Sequence, residues 1–325
     1  MGFHIGTIAI KDPVLLAPMA GITDLPFRLM VKRYGAGLVF SEMLASKVTI
    51  DTLRRKKMKE LTDYKDEFPL VVQIAGCEAE IIAEAAKITE GKGAAIIDLN
   101  FGCPVKKIIN KLGGSALMRD EALSAKIMEQ AVKAVKIPVT VKMRLGWDSE
   151  NQNAVTLAKI AEDCGVQMIT VHGRTREQLF SGKADWSAVK PVKDAVKIPV
   201  IVNGDINSPE DAKKALEVSG ADGVMIGRGC CGKPWLLQQT ADYLANNSFA
   251  PAPDVVEIEK LILDHYAAML ELYGEFHGMN MARKHLGWYF ETLPNSKDTS
   301  RAVKTSQSPE EVVGLIKNYF TLLGE

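Results

Sequence analysis

The run Asp98-Leu99-Asn100-Phe101-Gly102-Cys103-Pro104 holds a thiol between two residues that restrict the backbone, near an amide side chain that can both donate and accept. Four apolar residues, Ala94 to Ile97, lead into it as a short buried-strand pattern, which places the thiol just past a strand end. In layered α/β folds, chemistry gathers at such ends. A single cysteine is more often a small buried hydrophobe than a reactive group. Cys103 departs from that rule only if other strand ends carry matching residues.

They do. The first expected strand is followed by Ala17-Pro18-Met19-Ala20-Gly21, small and rich in backbone, against which a flat ligand can lie. The third strand carries Gln73, and the fourth ends near Asn100 and Cys103. The fifth presents Lys142 and Arg144, and the sixth ends at His172 and Arg174. The seventh ends at Asn203-Gly204-Asp205 and the eighth at Gly227-Arg228-Gly229. Barrel enzymes often bind a phosphate with the loops after strands seven and eight. Glycines there let amides approach an anion, and Arg228 adds a charged fork. Each residue also has a plainer role: Lys142 can point to solvent, His172 can be structural, and the glycines can be turns. Independent structural roles do not, however, place all of them at one end of consecutive strands.

The elements that must position this set are short β-branched runs between amphipathic stretches. Strands are expected at Val14–Ala17, Leu38–Ser41, Leu70–Ala75, Ala95–Leu99, Val139–Met143, Met168–His172, Val200–Asn203 and Gly223–Ile226. The hexapeptide Ala-Val-Lys-Ile-Pro-Val occurs at Ala134–Val139 and again at Ala195–Val200, so two strand–helix units are built alike. Ser208-Pro209-Glu210-Asp211 marks a helix start, with an N-cap serine, an early proline and acids facing the dipole. Eight strands alternating with helices match a (β/α)8 TIM barrel, an α/β fold, over residues 1–245. An open doubly wound sheet is the alternative, although it more often has five or six strands.

Residues 246–253, Asn-Asn-Ser-Phe-Ala-Pro-Ala-Pro, read as a linker. Residues 254–325 carry no strand signal and are expected to form a small all-α domain that packs on the barrel. Val255–Tyr273 has helical spacing with Gly274 as a stop, and Asn280–Phe290 is a second expected helix. Ser308-Pro309-Glu310-Glu311 reads as a capping box opening the last one.

The net charge is zero, which gives no global support for a polyanion partner. The charge is uneven, though: residues 251–325 carry 7 Lys+Arg against 11 Asp+Glu, leaving 33 against 29 before them. Local basic groups occur at Arg54–Lys57 with Lys59, at Lys106, Lys107 and Lys111, and at Arg283-Lys284-His285. The first is most simply a solvated helix face, the second would lie at the rim of the cysteine loop, and the third points several ways on one helix. Five cysteines without C-x-x-C spacing argue against zinc or a disulfide framework. No apolar run is long enough to span a bilayer. The expectation is a cytoplasmic protein with no metal and no membrane partner.

The motifs together resemble a known family. Ala17–Arg28 (A-P-M-A-G-I-T-D-L-P-F-R), Asn100–Pro104 (N-F-G-C-P), Val171–Arg176 (V-H-G-R-T-R), Asn203–Ile206 (N-G-D-I), Ile226–Gly229 (I-G-R-G) and Ala282–His285 (A-R-K-H) are similar to those of tRNA-dihydrouridine synthases of the bacterial B type. Phe101 stands where the family pattern has methionine, another large apolar residue. The resemblance implies an FMN-dependent barrel followed by a helical tRNA-binding domain; a monomer is the expectation, although the sequence leaves the oligomeric state open. It implies reduction of the C5–C6 double bond of uridine, with NADPH or NADH reducing the flavin.

By this resemblance Pro18, Met19, Ala20 and Gln73 contact the flavin ring, and Asn203, Gly204, Asp205, Gly227 and Arg228 hold its ribityl chain and phosphate. The family's proton donor falls at Cys103. An ordinary thiol, titrating near 8.5, is still mostly protonated at neutral pH and suits that role. Lys142 is the candidate to stabilise charge on the reduced flavin. His172 joins the cofactor set, Asn100, Arg144 and Arg174 face the uracil, and Arg283, Lys284 and His285 face the RNA. Another FMN barrel dehydrogenase acting on a small molecule would explain the flavin face, but not the helical extension or the lysines after Cys103. A cofactor-free RNA-binding barrel would need no such set of strand ends.

Overall fold

The structure, a computed structural model, describes residues 2–45, 50 and 67–324; the basic cluster at Arg54–Lys57 with Lys59 lies outside them. Eight parallel strands form the centre: β1 Val14–Leu16, β2 Leu38–Phe40, β3 Leu70–Ala75, β4 Ile96–Phe101, β5 Val139–Arg144, β6 Ile169–His172, β7 Val200–Asn203 and β8 Gly223–Ile226. They pair in sequence order, and β8 pairs with β1 to close a TIM barrel. The expected architecture is present.

One boundary differs in a way that matters. The fourth strand continues to Phe101 rather than stopping at Leu99, because it pairs with β5 as far as Phe101 opposite Met143. Alternation then sorts the side chains. Ile97, Leu99 and Phe101 pack outward with Val139, Val141 and Met143 in the layer beneath the helices. Asp98 and Asn100, with Thr140 and Lys142, are thereby turned toward the barrel interior. The lower interior is apolar: Leu15, Phe40, Val71, Ile96, Ile201 and Met225 fill it. An N-terminal hairpin, Phe3–Ile5 paired with Ile8–Ile10, adds Phe3, Ile5 and Ile10 to that cluster.

The repeated hexapeptide has a physical explanation. The Lys136 and Ile137 amides both donate to Glu90 Oε1, at 2.7 and 3.1 Å. The equivalent Lys197 and Ile198 amides donate to Glu162 Oε1, at 2.7 and 3.0 Å. In each unit a glutamate near the end of an earlier helix takes up two otherwise unpaired loop amides.

The outer helices that enter the argument are α1 Leu25–Arg33, α2 Ala79–Gly91, α3 Glu121–Ala134, α4 Ala154–Asp163, α5 Lys190–Ala195, α6 Pro209–Ser219 and α7 Leu236–Asn246. Arg28 on α1 is tied by two hydrogen bonds to Glu67, at 2.5 and 2.9 Å, and donates to Thr23 O at 2.6 Å. Both partners are buried. Glu67→Ala removes the buried carboxylate that accepts two Arg28 hydrogen bonds and should cost about 3 kcal/mol. Thermal melting should fall by about 10 °C, and a shift under 2 °C would remove the pair from the stability of the barrel.

Four helices follow: α8 Val255–Tyr273, α9 Glu275–Glu291, α10 Lys297–Thr305 and α11 Pro309–Gly324. They surround a second apolar cluster that includes Ile262, Met269, Phe290, Val312 and Ile316, and Met30 of α1 joins it. Tyr273 Oη donates to Asp24 across this contact at 3.2 Å. α9 is longer than expected and α10 was not expected at all. The expected box at Ser308 is only half formed. Ser308 Oγ accepts from the Glu311 amide at 3.2 Å, but the Glu311 carboxylate is taken by Ser306 Oγ at 2.6 Å. A reciprocal box exists instead at Asp254 and Glu257.

Candidate active site

A cavity of about 500 Å³ opens where the strands end. Its lining includes Pro18, Met19, Ala20, Gln73, Asn100, Cys103, Lys142, Arg144, His172, Asn203, Gly204, Asp205, Gly227 and Arg228, all singled out from the sequence. Ile206, the last residue of the N-G-D-I motif, lines it too, as do Met43, Val105, Phe180 and Asn207, which had no signal of their own.

A chain of buried hydrogen bonds crosses the floor. Thr140 Oγ1 and Gln73 Nε2 each donate to the Asp98 carboxylate at 2.7 Å. Asn100 Nδ2 donates to Gln73 Oε1 at 2.7 Å, while Asn100 Oδ1 accepts the Gly102 and Cys103 amides at 3.1 and 2.9 Å. The cysteine loop is therefore anchored through its backbone, and its thiol is not needed to hold it. Ser115 adds two bonds to Cys103 O, at 3.1 and 3.0 Å. Gly114, at φ +59°, permits this turn: a Cβ there would lie 2.6 Å from Cys103 O. One Gln73 Nε2 hydrogen and one Asn100 Nδ2 hydrogen are left over by this chain.

Burial dominates the electrostatics. It pushes Asp98 up to about 6 despite the bonds from Gln73 and Thr140 and the charge of Lys142. It pulls Lys142 down to about 8, helped by Arg144 and opposed by Asp98. Lys142 Nζ donates to Asn203 Oδ1 at 3.0 Å, and Asn203 Nδ2 is fixed on Met225 O at 2.8 Å. His172 is pulled down to about 2 by burial, then by Lys142 and Arg144. Its Nε2 lies 3.2 Å from Arg174 Nη1, which can only donate. His172 is thus neutral, with its proton on Nδ1.

The two inner arginines are braces. Arg144 donates from Nε to Gly102 O and from Nη1 to Thr175 O and Leu179 O, each at 2.8 Å, tying the cysteine loop to the loop after β6. Arg174 is buried, outside the cavity lining, and forks onto Asp205 at 3.0 and 2.5 Å. Burial alone would raise Asp205, but the Arg174 bonds and charge hold it below the usual carboxylate range.

The three residues of the α9 cluster separate. Lys284 reaches the barrel lip, where a Cβ on Gly21 would meet its Nζ at 3.2 Å. Arg283 donates to Ser306 O at 3.2 Å within the helical layer. His285 is buried, its ring centre 5.3 Å from that of Phe27 and 4.8 Å from that of His265. None of the three lines the cavity. Among the described residues, no three or more His, Cys, Asp or Glu side chains gather as metal ligands would, and no helix is long and apolar enough to cross a membrane.

A closed parallel barrel with amides, cations and a cysteine gathered at its mouth defines a TIM-barrel enzyme. Among solved structures, histamine dehydrogenase from Rhizobium sp. 4-9 matches with TM-score 0.56 at 16% identity, over 82% of this chain and 50% of that one. A 2-naphthoyl-CoA reductase matches with TM-score 0.60 at 13% identity, over 76% and 52%. This chain thus matches only about half the length of either, and at these identities the likeness is one of fold.

Sequence comparison is more specific. The dihydrouridine synthase (Dus) family matches residues 15–321. A probable tRNA-dihydrouridine synthase of Rickettsia bellii is 56% identical over 98% of this chain and 97% of its own length. The tRNA-dihydrouridine synthase B of Pseudomonas aeruginosa is 44% identical over 98% and 95%. The chain belongs to the dihydrouridine synthase family.

Proposed function

We propose that this protein reduces the C5–C6 double bond of uridines in tRNA, with FMN bound in the barrel mouth and NADPH as reductant. The observation that carries this reading is the convergence, on one cavity, of Cys103, the spare amide hydrogens of Gln73 and Asn100, and Lys142. The residues present suit a flavin. The volume lies within the usual range for ligand sites. The wall from Ala17 to Ala20 is small, and a Cβ on Gly227 would sit 3.5 Å from Met19 Sδ and 3.6 Å from Ala17 Cβ, so the glycine keeps that wall flat. Lys142 and Arg228 bring positive charge to the cavity lining.

When bound, FMN supplies the hydride that reaches C6 of the uracil ring. Gln73 offers its unspent N–H to the cofactor, and Lys142 supplies positive charge to its ring system. Arg228, with 60% of its side chain exposed and lying 4.9 Å over the Phe180 ring, is placed for a phosphate. Asn100 offers its remaining N–H to a uracil carbonyl. Cys103 gives its thiol proton to C5, so that hydride and proton together saturate the bond, and solvent returns the proton. The uracil must leave its stack to reach these groups.

The test is nucleoside mapping in cells lacking the gene. Dihydrouridine should vanish from defined tRNA positions and return with the wild-type gene. Unchanged dihydrouridine at every tRNA position would sink the assignment.

A further inference from the structure

We propose that Arg119, Trp147 and Arg176 form a rim site that grips a backbone phosphate of the RNA next to the reacting uridine; this rests on the tRNA reading above. Two guanidinium groups lie over the Trp147 ring, Arg119 at 4.8 Å and Arg176 at 4.4 Å from its centre. The three residues follow β4, β5 and β6, whose ends carry Cys103, Arg144 and His172.

The site is built rather than accidental. Beyond the sheet, the loops after β5 and β6 stay zipped together: Leu145 N donates to Arg174 O, Arg176 N to Gly146 O and Glu177 N to Trp147 O, at 2.9–3.0 Å. Trp147 and Arg176 are thus fixed by backbone on either side of the zipper. Among the described residues neither arginine is ion-paired within 4.0 Å, and the buried Arg176 Nε has no hydrogen-bond partner.

The nearby acids stay charged but lie beyond ion-pair distance of both arginines, and each is engaged by other donors through one carboxylate oxygen. Asp148, close enough to Arg119 to feel its charge, accepts from Glu150 N, Asn151 N and Asn151 Nδ2 within its own turn. Asp120 caps α3 through the Leu123 amide at 2.9 Å.

Two cations sharing one ring, with no carboxylate within ion-pair distance among the described residues, can take an anion, and planar guanidinium forks match phosphate. The position selects the kind of anion. Lys106 and Lys107, exposed on the turn after Cys103, continue the same sign along the rim. Arg119, Trp147 and Arg176 do not line the cavity itself, so the phosphate they would hold belongs to the strand that stays outside when a uridine is turned in.

The test uses full-length, flavin-loaded protein and an unmodified tRNA transcript, titrated between 50 and 200 mM salt. Arg119→Gln and Arg176→Gln should each weaken binding about tenfold and lower the log–log salt slope by about 0.7. Flavin content and the rate of flavin reduction by NADPH should not change. Arg119→Lys should keep the salt slope while losing part of the affinity, because it preserves charge without the fork. If wild type binds tRNA and both glutamine variants match it in affinity and slope, the rim site is overturned while the proposed function stands. If wild type neither binds tRNA nor forms dihydrouridine, the function itself fails and the rim site goes with it.

Discussion

Cys103→Ala should lower dihydrouridine formation by about 10² to 10⁴, the usual worth of a positioned general acid. NADPH should still reduce the bound flavin at the wild-type rate. The separation of the two half-reactions is the informative part. The loop that carries the thiol is held by Asn100 Oδ1 on two amides and by Ser115 on Cys103 O, and none of these bonds uses the thiol. Alanine therefore removes an acid without releasing the loop or disturbing Gln73, which Asn100 holds through its other side-chain atom. Nucleoside analysis of tRNA after multiple turnovers, with stopped-flow flavin reduction as the control, decides the matter. If Cys103→Ala retains product formation within fivefold of wild type, the thiol is not the acid. If flavin reduction falls equally, Cys103 acts on cofactor geometry and not on C5.

Much of this arrangement is legible from residue order, since a strand shows its face by alternation and its end by a change in composition. The eight β-branched runs and the polar residues at their ends lead to the barrel and its mouth without any knowledge of contacts. Rotation and register are harder. Whether Lys142 faces water or the interior depends on which residue it opposes, and its pairing with Asn100 and Thr170 settles that. Asp98 was visible in the sequence, but its role is a product of three strands in register, which bring Gln73 and Thr140 to its two oxygens. His285 and Lys284 are neighbours in a basic triplet, yet about 100° of helical turn sends one into the core and the other to the barrel lip. Helix α10, Lys-Asp-Thr-Ser-Arg-Ala-Val-Lys-Thr, has Val303 as its one fully buried apolar side chain, too thin a stripe to announce a helix. Phe180 gives no signal either, because a single exposed aromatic in a loop acquires meaning only from the arginines beneath it.

Lys142→Met should make the flavin-free protein more stable and the enzyme worse. In the folded chain burial, helped by Arg144, pulls the ammonium from its ordinary 10.5 to about 8. Below pH 8 the lysine is charged in both folded and unfolded chains, and the folded state bears the full cost of burying it, about 3 kcal/mol for this shift. Between pH 8 and 10.5 the unfolded chain binds more protons than the folded one, so wild-type stability rises with pH and the cost fades. Methionine removes the charge at similar length. It also leaves Asn203 Oδ1 without its donor, which takes back about 1 kcal/mol. The variant should therefore gain about 2 kcal/mol at pH 7, and much of that advantage should disappear by pH 10. Function should move the other way. A preorganised cation is worth about 10²–10³ in rate to a centre where negative charge develops, so flavin reduction by NADPH should slow by that factor. Denaturant titrations of flavin-free wild type and variant at pH 7 and pH 10, beside stopped-flow reduction of the loaded forms, test both halves. A Lys142→Met protein that is less stable than wild type at pH 7 would mean that Asp98 and Asn203 already compensate the charge. Stability gained together with rate lost would identify Lys142 as a charge the fold tolerates only because the cavity needs it.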